Sequence, residues 1–352
     1  MLIIRHRSWM SGITILLFNL LSCNNNNPEQ IIYKKYDNII NVKDQIVDIK
    51  TDLVFGKADL RIVDSFLVIH EYTPAGAKGV HLFDKNSFEY ITSTAIVGKG
   101  PGEVNRQGGV EYEAKGKNLW ISDHGKMVLW KFPLDSILNN NQFKPSEKIA
   151  LNPSLFINRY NFLNDSIALG KAVSINSNNS FEVKTAKLNV NTNVIAEFGY
   201  EHPDASGEKS HSYFALSKKH NIYVCTYTRC DLMTICDLSG NLKLNILGPD
   251  WGKSKGDEKE YFSPAGVEIA NDFIIAAYLD AAGVIMDKNQ RLTGNLPTKF
   301  LVFDINGNYI QTIETGHKII RFCIDKENDR VIAYFNDRLN PLGYFNLNLQ
   351  TK

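Results

Sequence analysis

Apolar residues in this chain do not recur at helical spacing anywhere beyond about residue 50. They come in short alternating runs separated by Asn, Asp, Gly and Lys, the pattern of half-buried strands joined by turns. One unit recurs: an apolar strand ending in an aromatic-plus-Asp pair, a tight turn, and a second strand. It reads VHLFDKNSFEYI at 80–91, MTICDLSGNLKLNI at 233–246 and FLVFDINGNYIQTI at 300–313, with weaker copies at 128–137, 185–198 and 342–350. A different hairpin precedes each copy, at 60–72, 112–123, 158–170, 216–227, 267–279 and 322–335.

Two hairpins per unit make four strands, and the six units fill the chain from about 50 to 350. Four-stranded sheets repeated radially predict an all-β fold, a six-bladed β-propeller, whose ring form protects most strand edges. The last unit stops after its third strand. A stretch within Ile31–Ile49 is therefore expected to supply the missing outer strand and latch the ring. A row of β-sandwich domains would need interdomain linkers, and none is visible.

The first residues change the picture of where the protein resides. Arg5, His6 and Arg7 precede a short apolar stretch from Ile13 to Leu21, too short to span a bilayer and laid out like a secretory signal. It ends in Leu20-Leu21-Ser22-Cys23, which resembles the bacterial lipobox. That resemblance implies cleavage before Cys23, diacylation of its sulfur and acylation of its new amine. Asn24 in place of Asp favours the outer membrane, facing the periplasm or the exterior. The expected organisation is a signal peptide at 1–22, a polar tether at 23–30 and the propeller at 31–352.

Charge then excludes one class of partner. The 352 residues carry Lys+Arg 39 and Asp+Glu 38. Loss of Arg5 and Arg7 with the signal leaves 37 basic against 38 acidic residues, a net of −1. A near-neutral chain has no polyanion footprint, so nucleic acid is not an expected partner.

Loop lengths point to a binding face. First-to-second and third-to-fourth strand turns are mostly tight, whereas the segments at 72–79, 98–109, 199–212, 248–264 and 281–299 are long and irregular. PLDSILNNNQFKPSEK in the second blade is the exception, a long loop or short helix on the tight-turn face. The long loops would present Lys99, Glu103, Arg106, His202, Asp250, Trp251, Tyr261, Asp280, Arg291, Lys318 and Arg338. Mixed charges with aromatics suit a neutral or polar ligand such as a glycan, a peptide or a loop of an envelope protein. Solvated loop charges are the plainer reading of any one of them.

Motifs of chemistry are scarce. No HExxH, GxSxG, CxxC or EF-hand spacing occurs, and no cofactor or catalytic residue is expected. DINGN at 304–308 reads as a hairpin turn, and the glycines at 98, 100 and 102 as a structural turn around Pro101, since no Lys-Ser/Thr or helix pattern follows. Cys225 and Cys236 would fall opposite each other if the turn spans 229–232, permitting a disulfide. The alternative reads Cys225, Cys230, Cys236 and Cys323 as three small apolar strand residues and one turn residue. The runner-up function is an enzyme with an axial site, such as a metal-dependent lactonase-like hydrolase or a sugar-acting enzyme. It would draw on Glu103, Asp250 and Asp280.

Finally, Gly98-Lys99-Gly100-Pro101-Gly102-Glu103 resembles the G-[KR]-G-P-G-E signature of the TolB-like and NHL-like six-bladed propeller lipoproteins of Gram-negative bacteria. Val104 stands where that pattern usually carries an aromatic. The resemblance implies the fold and an envelope location; it supplies no catalytic residues.

Overall fold

The computed structural model describes residues 29–175, 181–253, 259–287 and 289–349. The signal, Cys23 and most of the tether lie outside the described residues. Within them the chain forms six radially arranged antiparallel sheets. The blades run at 58–96, 107–150, 155–197, 212–247, 259–314 and 319–346. The innermost strand of each comes first in sequence: Ala58–Val63, Gln107–Glu113, Leu155–Phe162, Ser212–Ser217, Lys259–Ala270 and Ile319–Asp325.

The recurrent Asp after the aromatic closes the outer hairpins. The Asp84 carboxylate accepts the backbone N–H groups of Asn86 and Ser87, Asp237 those of Ser239 and Asn241, and Asp304 those of Asn306 and Asn308. An Asp side chain thereby does locally what a turn otherwise asks of backbone carbonyls. Gly240 and Gly307 follow at φ 95° and 85°, where a Cβ is strained. DINGN is thus a turn.

Six apolar clusters fill the spaces between neighbouring blades. Phe300 packs on Phe322 between the fifth and sixth, for instance, with ring centroids 4.7 Å apart. The helix at Leu134–Asn139 lies in the third-to-fourth connection of blade two and buries Leu134 and Ile137.

The ring closes as the sequence leads one to expect. Val47–Asp48 pairs antiparallel with the third strand of the last blade, Tyr344↔Val47 and Gly343↔Asp48. The segment before it does more than the pattern predicts. Glu29–Ile32 joins the outer edge of blade four in parallel, and Ile39–Asn41 joins that of blade five in parallel. Residues 29–48 thus form a strap across the rims of three consecutive blades, and its first strand starts at Glu29, inside the segment expected to be a tether. Parallel addition leaves no hairpin signature in sequence, which is why the pattern misses it.

Cys225 faces Thr234 and Cys236 faces Tyr223, so the two cysteines are diagonal rather than opposite. The turn lies at 228–231, with Leu232 already in the strand, and this register separates them. All four cysteines described are free and buried.

Candidate functional site

The six innermost strands surround a cavity of about 860 Å³, within the range of small-ligand sites. Phe55, Tyr72, Leu296 and Arg338 line its mouth on the long-loop face. Deeper, each blade contributes from its first strand: Asp59 and Arg61, Glu111, Arg159, then Phe214 and Leu216, Glu268, and Arg321 with Cys323. A strand alternates its side chains, so a residue every second position reaches the axis while those between enter the interblade core.

Bulges tune that alternation. Register shifts fall between Gln107 and Val110, Ile157 and Arg159, Phe262 and Val267, and Ile319 and Arg321. Each lies at or just before the charged residue that its blade presents, and a bulge re-aims a side chain. Blade three needs close backbone approach beside its bulge. A Cβ on Gly170 would meet the Arg159 carbonyl oxygen at 2.0 Å.

Two ion pairs cross between blades. An Arg61 Nη donates to Glu111 Oε1 at 2.6 Å, and Arg321 Nε donates to Asp59 Oδ2 at 3.2 Å. Arg321 is fixed further by donating to the Pro264 and Ile320 carbonyls. The Arg159 guanidinium stacks 4.3 Å from the Tyr213 ring centroid. Glu111 is 2% exposed and its Oε2 has no partner; Gln107 is 5% exposed and its Oε1 has none. Gln107 Nε2 donates to His70 Nδ1 and to the Gly79 carbonyl.

These surroundings push the titratable groups apart. Burial lifts the Glu111 carboxyl to about 8 against the pull of Arg61, with Glu268 and Asp59 adding to the rise. A protonated carboxyl still accepts the Arg61 hydrogen bond through its carbonyl oxygen, so short contact and raised pKa coexist. Burial also raises Glu268. It opposes ionisation of Asp59 as well, but Arg321 and the other nearby cations outweigh it and hold that carboxyl low. His70 is lowered to about 4 by burial, aided by Arg61, Arg321 and Arg159 against Asp59, and is neutral near pH 7.

Of the loop residues named from sequence, Arg338 alone lines the cavity; it also pairs with Asp48 of the strap at 2.6 Å. The rest fall into separate places. Lys99 and Arg106 are exposed. Glu103 folds back to accept the Gly100 N–H and the Lys144 ammonium, while Lys126 donates to the Gly100 and Glu103 carbonyls. The glycine-rich signature is therefore a turn tied by its own glutamate. His202 and Trp251 meet edge to face at 5.2 Å. Asp250, Tyr261 and Asp280 gather around Lys259, which pairs with both carboxylates and lies 5.3 Å from the Tyr261 ring centroid. Tyr261 belongs to the extended first strand of blade five, not to a loop.

Arg291 pairs with Asp287 in the turn of a small added hairpin, Val284–Met286 with Leu292–Gly294. Lys318 is half-buried, and its backbone N–H bonds Asp337. Among the described residues no three His, Cys, Asp or Glu side chains are grouped to hold a metal ion. Glu103 stands apart from Asp250 and Asp280, each held by a lysine. The charged inner-strand residues escaped the loop-length argument, although each sits at an alternate position of a hairpin visible in the sequence.

Fold and site together define a six-bladed β-propeller with a ligand-sized axial cavity. The chain belongs to the TolB-like 6-blade propeller-like family, whose model matches residues 35–327. No curated protein matches the sequence significantly. Among solved structures, a member of the duf4221 family from Bacteroides vulgatus superposes with TM-score 0.61 at 9% identity, covering 85% of this chain and 94% of that one. A putative exported protein from Bacteroides fragilis gives 0.56 at 14%, covering 90% and 98%. At these identities the likeness is one of fold.

Proposed function

We propose that this protein is an envelope lipoprotein, anchored through Cys23, whose propeller binds a small polar ligand in the axial cavity without transforming it. The observation that carries the binding reading is the pair of buried, unpartnered polar atoms, Glu111 Oε2 and Gln107 Oε1, beside a ligand-sized space. A buried polar atom left without a partner costs about 1–3 kcal/mol, so each marks a place for a polar group of a ligand: a donor at Gln107 Oε1, and an acceptor at Glu111 Oε2 while that carboxyl is protonated. Of the described cavity residues, Cys323 is a thiol pushed well up by burial, and His70 bonds Gln107.

The test is a glycan and peptide screen followed by titration of the best binder. Arg159→Glu and Glu111→Ala are expected to weaken binding at least about tenfold, the scale of one lost charged hydrogen bond. Lys99→Ala and Arg291→Ala, remote from the axis, should leave it unchanged. Binding lost in the loop variants and kept in the cavity variants would move the site to the loops.

The anchor has its own check. Cys23→Ala is expected to shift the protein from the membrane fraction to the soluble fraction, since stable anchoring takes two acyl chains or more. Undiminished membrane retention of the variant refutes acylation at that residue.

A further inference from the structure

Charges on the cavity wall are not evenly satisfied. On the inner strands, Arg61 is engaged by its short hydrogen bond to Glu111, and Arg321 is paired with Asp59. Among the described residues, the other innermost-strand charges that line the cavity, Arg159 in blade three and Glu268 in blade five, have no opposite charge at ion-pair distance, although Arg61 and Lys326 act on Glu268 from further off. Between them stands blade four, whose contribution to the wall is largely apolar: Phe214, Ala215 and Leu216, with Tyr213. A free cation, an apolar strip and a free carboxyl therefore follow one another around a third of the ring.

Their depths are close. Counted from the tight-turn end of its strand, Glu268 is third and Arg159 fourth, as is Phe214. One residue of strand is about 3.3 Å, so the two charges stand at nearly one level, on either side of the strip. Stacking on Tyr213 holds the Arg159 guanidinium by its face and leaves its edge donors for a planar acceptor, which a carboxylate fills with two parallel bonds. Glu268 faces the converse need. Burial disfavours its charge, and a ligand cation beside it would restore that charge.

We propose that the axial cavity takes a zwitterion, an amino acid or short peptide, with its carboxylate on Arg159, its ammonium on Glu268 and its apolar body along Phe214 and Leu216. The proposal rests on the axial-site reading and narrows its ligand. A purely anionic ligand would leave Glu268 without the cation that favours its charged form, and a neutral sugar would leave Arg159 without a counter-charge in a confined space.

Calorimetric titration of the full chain with L-leucine, alanyl-leucine and alanyl-alanyl-leucine tests this, the three lengths separating a free amino acid from a peptide. Each is compared with its N-acetyl and C-terminal amide forms. At least one free zwitterion is expected to bind, and either block should weaken it tenfold or more. Arg159→Gln should abolish discrimination between acid and amide while keeping that between amine and N-acetyl. Glu268→Gln should do the reverse. This split is one that mere misfolding cannot produce, and Arg159→Lys should restore charge but not the two-bond fit.

The proposal is overturned if no length binds, if a blocked form binds as well as the free one, or if both discriminations survive in both variants. A screened ligand that is uncharged yet lost in Arg159→Glu sinks the zwitterion alone. One whose binding ignores every cavity variant sinks the axial site as well.

Discussion

Arg61→Ala is expected to destabilise the propeller by about 2–3.5 kcal/mol at pH 9, a hydrogen bond's worth plus about 1.4 kcal/mol for the one pH unit above the Glu111 pKa. At pH 6 the same substitution should lose only about 1–2 kcal/mol, near the worth of a hydrogen bond. The difference follows from Glu111, whose carboxyl rises from an ordinary 4.5 to about 8 in the fold. A group with a raised folded pKa contributes stability that is complete below the unfolded value and is lost as pH climbs through the folded one. Below about pH 8 Glu111 is protonated in both proteins, so the gap between them is flat. Above it, the wild type ionises beside Arg61, whereas the variant has no cation there and holds its proton to higher pH at growing expense.

Urea denaturation from pH 5 to 9 reads this directly. A gap constant across that range would show that Glu111 is not the titrating group. Glu111→Gln in the Arg61→Ala background should flatten the profile. Asp231 titrates in a lower window, raised to about 6 by burial, and so does not mimic the widening above pH 8.

Tyr36→Ala is expected to cost about 2–4 kcal/mol, somewhat below the range for a fully buried aromatic because the residue is only partly covered. Tyr36 lies between the two parallel strands of the strap, and its ring meets those of Tyr33, Tyr278, Phe303 and Tyr309 at 5.7, 5.7, 6.0 and 5.1 Å. Each such pair adds about 0.5–1.5 kcal/mol to the burial it accompanies. Tyr278 and Phe303 belong to the core between blades four and five. Losing Tyr36 therefore loosens an interblade joint as well as the strap. Tyr36→Phe keeps the ring and should fall within about 0.5 kcal/mol of wild type, the ordinary scatter of benign changes. Denaturation midpoints for the two variants give the comparison, and equal losses in both would assign the effect to the hydroxyl rather than the aromatic cluster.

The strap shows why part of the fold is readable and part is not. The repeat of strand, Asp turn and strand is local, because Asp84, Asp237 and Asp304 bond backbone within four residues of themselves. A missing fourth strand can be counted. That Ile39 should lie beside Thr312 in parallel cannot, because parallel pairing involves no turn and its partners lie far apart in sequence. The cysteines make the same point on a smaller scale. Alternation places Cys225 and Cys236 on strands, yet a turn displaced by one residue moves the pairing by two and sets them diagonal.

The site divides along the same line. Asp59, Arg61, Glu111, Arg159, Glu268 and Arg321 stand in plain view within short apolar runs, where unpaired charges are unexpected for a core strand. Loop length drew attention to the rim, and Arg338 is what the rim shares with the cavity. By itself the sequence determined six blades, the latch from the N-terminal side and the turn nature of the glycine-rich signature, because strand period, turn chemistry and repeat count act over short stretches of chain. Only the tertiary structure decided that one charged residue after another from five blades converges on one axis, that Arg61 and Arg321 find carboxyl partners there, and that among the described residues Arg159 and Glu268 form no ion pair. Pairing across blades depends on ring closure and on bulges of a single residue, and neither leaves a mark that spacing can read.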